Sequence, residues 1–185
     1  MDCGRDSYKR FLAGDDTGME EIIRTYRDGL IFYLYKFVGS IEKAEELAED
    51  TFVLLCVKKP TDKQKCSFKT WLYTIGRNIS IDYLRRFARD RTTPLDCCGD
   101  ISCEQEDPEE QYIRDSKKII VNRALKNLKS DYRQVLWLFH FEDMSYKEIS
   151  TVMNKSVRAT QMLATRAREA LKAELIKEGL TYEND

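Results

Sequence analysis

Apolar side chains recur every three to four residues through most of this chain, and the recurrence stops in one long stretch between residue 90 and about residue 110. That period is typical of amphipathic helices rather than strands. The 185 residues include 8 Gly and 3 Pro, too few for the frequent turns of an all-β fold. We therefore predict an all-α fold with two small helical domains, at 1–91 and 111–180, joined by a flexible acidic linker at 92–110.

Helix start and stop signals divide the first domain. The clearest is Gly39-Ser40, since glycine tolerates the left-handed backbone that ends a helix and serine caps the next one. Asp15, Asp16 or Thr17 can cap the helix before it. We expect a short helix from Tyr8 to Ala13, a long one ending near Val38, one after Ser40, and one from Ser67 to about Arg89.

Charge alternates along the chain although the net charge is only −1. Residues 40–55 hold five acids against one lysine, and residues 68–91 hold six bases against two acids. Residues 94–112 hold seven acids and no base, and residues 145–177 hold seven bases against three acids. Two basic helical segments separated by acidic sequence indicate two nucleic-acid faces and a different partner for the acidic parts.

The second basic segment opens with a complete helix-start signal. Ser145 and Glu148 have the spacing of a capping box, in which each side chain bonds the other residue's backbone. Met144 and Ile149 flank the pair and can form a hydrophobic staple across the first turn. We predict that a helix begins directly after Ser145.

That helix is short, and a longer basic helix follows it. Asn154 ends the first because asparagine tolerates left-handed backbone, and Ser156 caps a helix from Val157 to about Ile176. This arrangement predicts a helix-turn-helix, whose second helix enters the DNA major groove. Three bases on it favour DNA binding over a plain helical hairpin: Arg158, Arg166 and Arg168.

Both halves also resemble one protein family. Residues 149–168, with 125–128 and 133–136 upstream, resemble sigma region 4, which reads the minus-35 promoter element. Residues 44–52 resemble region 2.2, and residues 70–86 resemble regions 2.3 and 2.4. The chain thus resembles a bacterial sigma factor of the extracytoplasmic-function group of the sigma-70 family. The resemblance implies a protein that binds core RNA polymerase and directs promoter-specific transcription initiation.

The resemblance assigns minus-35 recognition to the second helix of the helix-turn-helix. It places five residues on or near the DNA-facing side: Arg158, Gln161, Met162, Thr165 and Arg166. The family more often has basic residues where Gln161 and Leu163 stand. Fewer phosphate contacts are therefore available here, although Gln161 can bond an adenine edge.

The resemblance assigns recognition and melting of the minus-10 element to region 2. This task needs a surface that attracts the DNA backbone, stacks on unpaired bases and holds a flipped base. Tyr73 lies off the predicted apolar stripe and is available to stack, and Asn78 aligns with an asparagine that the family uses near this element. Phe68 and Trp71 fall on the apolar face and are interpreted as core. The predicted contacts are Lys63, Lys65, Lys69, Tyr73, Arg77, Asn78, Arg85 and Arg86.

The acidic face after Ser40 is complementary to the basic coiled coil of the polymerase clamp, on which region 2.2 docks in this family. The predicted polymerase contacts are Glu45, Glu46, Glu49 and Asp50, and the family's docking residues align with Asp50. The resemblance also implies contact with the polymerase flap, promoter DNA as a ligand, and an anti-sigma factor as a partner. It implies that the acidic linker threads through the polymerase's active-site cleft and RNA exit path.

The sequence shows no arrangement typical of catalysis, so we expect no enzyme activity, no cofactor and no metal. It has no Gly-rich phosphate loop, and His140, its one histidine, lies in an aromatic run and is interpreted as a packed residue. The 6 cysteines include no CxxC pair, so a zinc site has only weak support. Cys97, Cys98 and Cys103 fall in the linker, either as a redox pair or as ordinary reduced thiols.

We expect a cytoplasmic protein with no direct membrane insertion, because no apolar run approaches the length of a bilayer span and the N-terminus has no signal-peptide core. Two alternative functions stay open. A helix-turn-helix transcriptional regulator that is not a polymerase subunit would have no use for residues 71–86. An inactive sigma-like decoy would not need the basic residues present in both halves.

Overall fold

The computed structural model describes residues 2–62, 65–90 and 120–178 of the chain. Those residues form helices joined by short loops, which confirms the all-α prediction. In chain order the helices are α1 (Cys3–Leu12), α2 (Thr17–Val38), α3 (Ile41–Lys58), α4 (Phe68–Asp90), α5 (described over residues 120–126), α6 (Ser130–His140), α7 (Tyr146–Met153) and α8 (Val157–Lys177). The predicted linker at 92–110, its three cysteines and Lys63 lie outside the described residues.

The predicted helix boundaries in the first half are confirmed at three of the four helices. Gly39 ends α2 with a left-handed φ of 78°, and the Ser40 hydroxyl accepts the backbone N–H of Lys43 at 3.2 Å. The Ser67 hydroxyl accepts the N–H of Thr70 at 3.3 Å and so caps α4. At the start of α2, the carboxylate of Asp15 accepts the backbone N–H of Thr17 at 3.1 Å.

The first helix is longer than predicted, because it begins at Cys3 rather than Tyr8. Tertiary contacts hold the additional turn. The Arg5 guanidinium pairs with Asp62 at 2.7 Å, and Asp2 accepts the backbone N–H of Phe68 at 2.7 Å. Gly4 permits the close approach, since a Cβ on it would lie 2.5 Å from the Phe68 ring. Such contacts depend on distant residues, so local periodicity did not reveal them.

Helices α1 to α4 enclose an apolar core. The buried stripe of α3 runs from Ala44 through Leu55, and Phe68 and Leu72 of α4 are fully buried beside it. Trp71 is partly buried and packs against this core, with its ring centroid 5.4 Å from that of Tyr8. The interpretation of Phe68 and Trp71 as core residues is therefore confirmed. Burial of apolar area on this scale is the main favourable contribution to folding.

Helices α6, α7 and α8 form a second packed group. Leu138 on α6 and Ile149 on α7 are fully buried, and α8 turns a face of small residues inward, with Thr160, Ala164 and Ala167 at 2% exposure or less. Small side chains let α8 approach the other two helices closely. The face of α8 opposite to them is consequently left to solvent.

The two groups pack against each other, which the sequence did not predict. Helix α6 lies against α2, and α7 lies against α4. Most of the buried apolar residues of both groups belong to a single cluster. Within the described residues, the two halves therefore form one closed arrangement.

Candidate nucleic-acid interface

The helix-turn-helix has the predicted local geometry. The Ser145 hydroxyl accepts the backbone N–H of Glu148 at 3.4 Å, and the Glu148 carboxylate accepts the N–H of Ser145 at 3.0 Å, so the capping box is complete. Asn154 adopts left-handed backbone with φ 52° and ψ 51°, as predicted for the end of α7. The Ser156 hydroxyl accepts the N–H of Ala159 at 3.2 Å and starts α8. These local bonds set the angle at which α8 leaves α7.

The exposed side of α8 is the first candidate surface. All five residues predicted to contact the minus-35 element are exposed, and their spacing places them on one strip of the helix. We call this strip the α8 face; it consists of Arg158, Gln161, Met162, Thr165 and Arg166. Met162 is 49% exposed, which is unusual for a large apolar side chain and suits contact with a base or a methyl group in a groove.

Arg168 lies at the edge of the α8 face and has structural contacts of its own. Its guanidinium donates to the Tyr146 hydroxyl at 3.2 Å and lies 5.7 Å from the centroid of the Phe139 ring. The side chain thereby links α8 to α7 and α6. This differs from the α8 face, whose arginines point to solvent.

The second candidate surface runs along α4, and its middle differs from its two ends. We call it the α4 face; it consists of Lys65, Lys69, Tyr73, Arg77, Asn78, Arg85 and Arg86. Asn78, Arg85 and Arg86 are exposed, as is Lys65. These four are open to a nucleic-acid strand as predicted.

Tyr73, in the middle of the α4 face, is a correction to the sequence analysis. It was expected to lie off the apolar stripe, but it is only 1% exposed, with its ring centroid 5.4 Å from that of Tyr33. Burial raises the pKa of Tyr73 above its ordinary value of 10.0, and the neighbouring carboxylate of Glu142 raises it further. In this arrangement Tyr73 is a buried neutral phenol that no base can reach. Helical spacing alone did not reveal this, because the side chain packs against Tyr33 of α2 and meets Glu142 of the other half of the chain.

Three residues from the α6–α7 side cover this part of the α4 face, and we call their contacts with α2 and α4 the seam. Glu142 pairs with Lys69 at 2.7 Å, and its backbone carbonyl accepts from the same ammonium at 2.9 Å. Gln134 is buried and accepts from Arg77 at 3.2 Å and from the Tyr33 hydroxyl at 3.4 Å. Lys69 and Arg77, both predicted DNA contacts, are thus bound to the chain itself.

Glu148 is the third residue of the seam. Besides its role in the capping box, its carboxylate accepts from the Ser67 hydroxyl at 3.0 Å and from the Thr70 hydroxyl at 3.3 Å. Partial burial opposes ionisation, but hydrogen bonds from Ser145, Ser67 and Thr70 outweigh it and lower the pKa of Glu148 below its ordinary value of 4.5. One carboxylate therefore caps α7 and joins it to the first turn of α4.

Acidic residues on α3 form a third surface. Glu45, Glu46, Glu49 and Asp50 are all exposed, on the side of α3 opposite the buried stripe. The structure adds two apolar residues that the sequence analysis missed, Val53 at 56% and Val57 at 75% exposure. Their spacing from Glu49 continues the acidic strip along the same side of α3, and this periodicity was available in the sequence.

Other sequence predictions concern chemistry rather than recognition. His140 is exposed at the end of α6 and not packed inside, although its ring centroid lies 5.0 Å from that of Phe139, with the two ring planes nearly perpendicular. In the part of the chain that the structure describes, no three His, Cys, Asp or Glu residues come together as a metal site would require. Across the same residues, no helix combines the length and apolarity needed to cross a bilayer.

A capped helix-turn-helix with an exposed basic strip, preceded by a four-helix unit with its own basic helix, is the architecture of a helical DNA-binding protein. Comparisons with known proteins narrow this class. The sequence matches the family "Sigma-70 region 2" over residues 22–91 and "Sigma-70, region 4" over residues 118–171. It is 30% identical to the RNA polymerase sigma factor YlaC of Bacillus subtilis, over 86% of this chain and 92% of that protein. It is 25% identical to the ECF RNA polymerase sigma factor SigW of the same organism, over 90% and 94%.

Solved structures share the fold. The sigma factor RpoE, in complex with the anti-sigma factor NepR from Bartonella quintana, superposes with a TM-score of 0.71 at 20% identity, covering 87% of this chain and 98% of that one. CnrH, in complex with the cytosolic domain of CnrY, gives 0.67 at 22% identity, covering 95% and 98%.

The chain belongs to the sigma-70 family, in its extracytoplasmic-function group, and is an alternative sigma factor that directs promoter-specific transcription. A regulator that is not a polymerase subunit is not favoured, because the region 2 match spans the segment for which such a regulator has no use. Sigma factors are initiation factors without enzyme activity of their own.

Proposed function

We propose that this sigma factor divides promoter recognition between its two basic surfaces. The α8 face reads the minus-35 element as duplex DNA, with Arg158 and Arg166 on phosphates or guanine edges and Gln161 on an adenine edge. The observation that carries this proposal is the α8 face itself, an exposed strip on the second helix of a fully capped helix-turn-helix.

The α4 face contacts the minus-10 element during strand separation. Arg85 and Arg86 attract the phosphate backbone, and Asn78 reads an unpaired base through its amide. Lys69, Tyr73 and Arg77 contribute only when α6 and α7 have left α4, because in the closed arrangement they contact Glu142 and Gln134. Lys65 extends the basic charge just before the N-terminal end of α4, and Lys63, two residues earlier in the sequence, is a further proposed contact.

The acidic side of α3 docks on core RNA polymerase. Glu45, Glu46, Glu49 and Asp50 face the basic clamp, while Val53 and Val57 supply the apolar area that such an interface needs at its centre. The half formed by α6 to α8 contacts the flap. The exposed valines support this proposal because a purely solvated acidic face has no use for them.

The partners follow from this assignment. Core RNA polymerase and promoter DNA are the direct ones, and the protein works in the cytoplasm without performing chemistry itself. The solved structure of the sigma factor RpoE in complex with the anti-sigma factor NepR supports an anti-sigma factor as a further partner.

Run-off transcription on genomic DNA fragments, with purified core polymerase and with or without this protein, tests the proposal. We expect specific transcripts that require the protein, with start sites that define both promoter elements. An Asp50→Lys variant should lose core binding, whereas Asp28→Lys, an exposed acid on α2, serves as its charge-matched control. Core binding without any transcript would indicate a decoy, and absence of core binding would overturn the proposal.

A further inference from the structure

The loop between α3 and α4, which we call the lysine loop, is described at residues 59–62 and 65–67 and is tied to α1 where it begins. Lys59 ends α3 in left-handed backbone with φ 42° and ψ 53°, which residues other than glycine seldom adopt. Pro60 follows with the fixed φ of its ring. The Tyr8 hydroxyl of α1 donates to the Pro60 carbonyl at 2.9 Å. Burial raises the pKa of Tyr8 to about 12, so this phenol stays protonated and continues to donate at neutral pH.

The guanidinium of Arg5, also on α1, holds the later part of the lysine loop. Its Nε donates to the Asp62 carboxylate at 2.7 Å, and its Nη2 donates to the Cys66 carbonyl. Its Nη1 lies 3.3 Å from the carboxylate of Asp2. The side chains of Arg5 and Asp62 are only 19% and 9% exposed, so salt screens this pair less than a surface ion pair. Arginine suits the position because its planar fork directs three nitrogens to three partners at once.

The last of these contacts reaches the first turn of α4. The Asp2 carboxylate accepts the backbone N–H of Phe68, the first residue of α4, at 2.7 Å. This N–H is one of the donors that a helix cannot satisfy within itself. The N-terminal end of α1 therefore contacts both the lysine loop and the helix that follows it, at Pro60, Asp62, Cys66 and Phe68.

Lys65 is the proposed minus-10 contact in the described part of this loop. It is exposed and directly precedes Cys66, so the backbone at Cys66 determines where its ammonium can reach. A loop that is ordered before binding loses less conformational freedom when a DNA strand arrives than a loop that is mobile. The contacts of α1 with this loop thus bear directly on the affinity for the strand.

We propose that Arg5 is a positioning residue for minus-10 recognition, which holds Lys65 in place through the Asp62 carboxylate and the Cys66 carbonyl. The inference rests on the proposed contact between Lys65 and the minus-10 strand. Arg5 acts through the loop and does not itself touch DNA.

Binding of two probes by the holoenzyme tests this role. One probe is the separated strands of a minus-10 region and the other a duplex minus-35 region, both from a promoter whose start site run-off transcription has defined. Arg5→Gln should weaken binding of the single strand by about 2- to 10-fold and leave duplex binding unchanged. Arg5→Lys should restore part of the loss, because its ammonium can still pair with Asp62. Lys9→Gln, which removes an exposed base one turn further along α1, is the matched control.

A double variant distinguishes positioning from general damage. Lys65→Gln should itself weaken single-strand binding, and Arg5→Gln added to it should cost little more, because the effect of Arg5 passes through Lys65. Independent losses that multiply in the double variant would overturn the proposal. An equal loss on the duplex probe, or single-strand binding that Arg5→Gln leaves intact, would do the same.

Alkylation of Cys66, resolved by mass spectrometry of the full chain, reports on the loop without DNA. Cys56 on α3 is the internal reference, since both thiols are partly buried and burial raises the pKa of each. We expect Arg5→Gln to increase the rate at Cys66 severalfold relative to Cys56. An unchanged ratio in a folded variant contradicts the proposal.

Tyr8→Phe keeps the buried ring and loses only the bond to the Pro60 carbonyl, so it tests the same loop even if Arg5→Gln fails to fold. It should weaken single-strand binding and increase Cys66 alkylation, each by less than Arg5→Gln. No change in either measurement would count against the proposal. Faster alkylation in the variants, with no single-strand binding by the natural holoenzyme, refutes the proposed role of Lys65 while the contacts between α1 and the loop stand.

Discussion

The α8 face and the α4 face are both basic strips on long helices, yet they differ in how far the rest of the chain covers them. The residues of the α8 face are all exposed, because α8 turns its small residues inward and leaves the opposite side to solvent. The middle of the α4 face is bound by Glu142 and Gln134 from the other half of the chain. A basic helix is therefore a DNA-binding surface only in a tertiary arrangement that leaves it uncovered.

The difference has a chemical basis. Duplex DNA is recognised from outside by a protruding helix, and such a helix can stay exposed at little cost. A surface that stacks on unpaired bases needs aromatic and apolar groups as well as charge. An aromatic such as Tyr73 is readily buried by any available partner, and here the partner is the chain itself.

The largest expected effect is a loss of stability when a buried residue of the helix-turn-helix that carries the α8 face is truncated. Ile149 is fully buried on α7, and Ile149→Ala should lower the free energy of unfolding by about 2–5 kcal/mol through lost burial and a cavity. Chemical denaturation measures it. Ile176→Ala, at a position 52% exposed on α8, should change it by less than about 0.5 kcal/mol. Equal losses in the two variants would contradict the described packing.

Arg166→Ala should show that the α8 face contributes to DNA binding and not to core polymerase binding. We expect duplex promoter binding by the holoenzyme to weaken by about 1–3 kcal/mol, while binding to core polymerase stays unchanged. Titration of labelled duplex and of core measures both. Arg24→Ala, at an exposed arginine of α2, is the matched control. A loss of core binding in Arg166→Ala would mean that the DNA and polymerase surfaces have been interchanged.

Ser145→Ala removes one half of the capping box of α7 and should cost about 1 kcal/mol of stability. The helix start loses an acceptor for the backbone N–H of Glu148. Thermal unfolding followed by circular dichroism measures the change. Thr151→Ala removes a hydroxyl from the same helix away from its cap, and it should not destabilise the protein. An effect of Thr151→Ala as large as that of Ser145→Ala would exclude capping as the cause.

The smallest expected effect is a pH dependence that arises from Glu148. Its pKa is lowered in the folded chain, so the unfolded chain binds the proton more tightly. The stabilisation is fully present above the ordinary value of 4.5 and is lost as the pH falls through the lower folded value. Glu148→Gln should flatten this part of the profile of unfolding free energy against pH, and Glu20→Gln should not. Identical profiles in all three proteins would show that Glu148 does not contribute.

Local signals in the sequence predicted the elements of this fold well. Each helix start or stop signal acts on backbone groups within four residues, so it can be recognised without knowing which distant residues the helix packs against. These signals are Gly39-Ser40, Ser67, Ser145 with Glu148, and Asn154. The early start of α1 was missed because Arg5 and Gly4 are held by residues far along the chain. Val53 and Val57 were missed although their helical spacing made them detectable.

By itself, the sequence determined that the protein is helical and where most of its helices begin and end. These properties follow from hydrogen bonds and periodicity within single helices. Only the tertiary structure decided that Tyr73 is buried and that Lys69 and Arg77 are paired with Glu142 and Gln134. The physical reason is that burial and ion pairing depend on groups more than fifty residues apart, whose meeting no local pattern encodes.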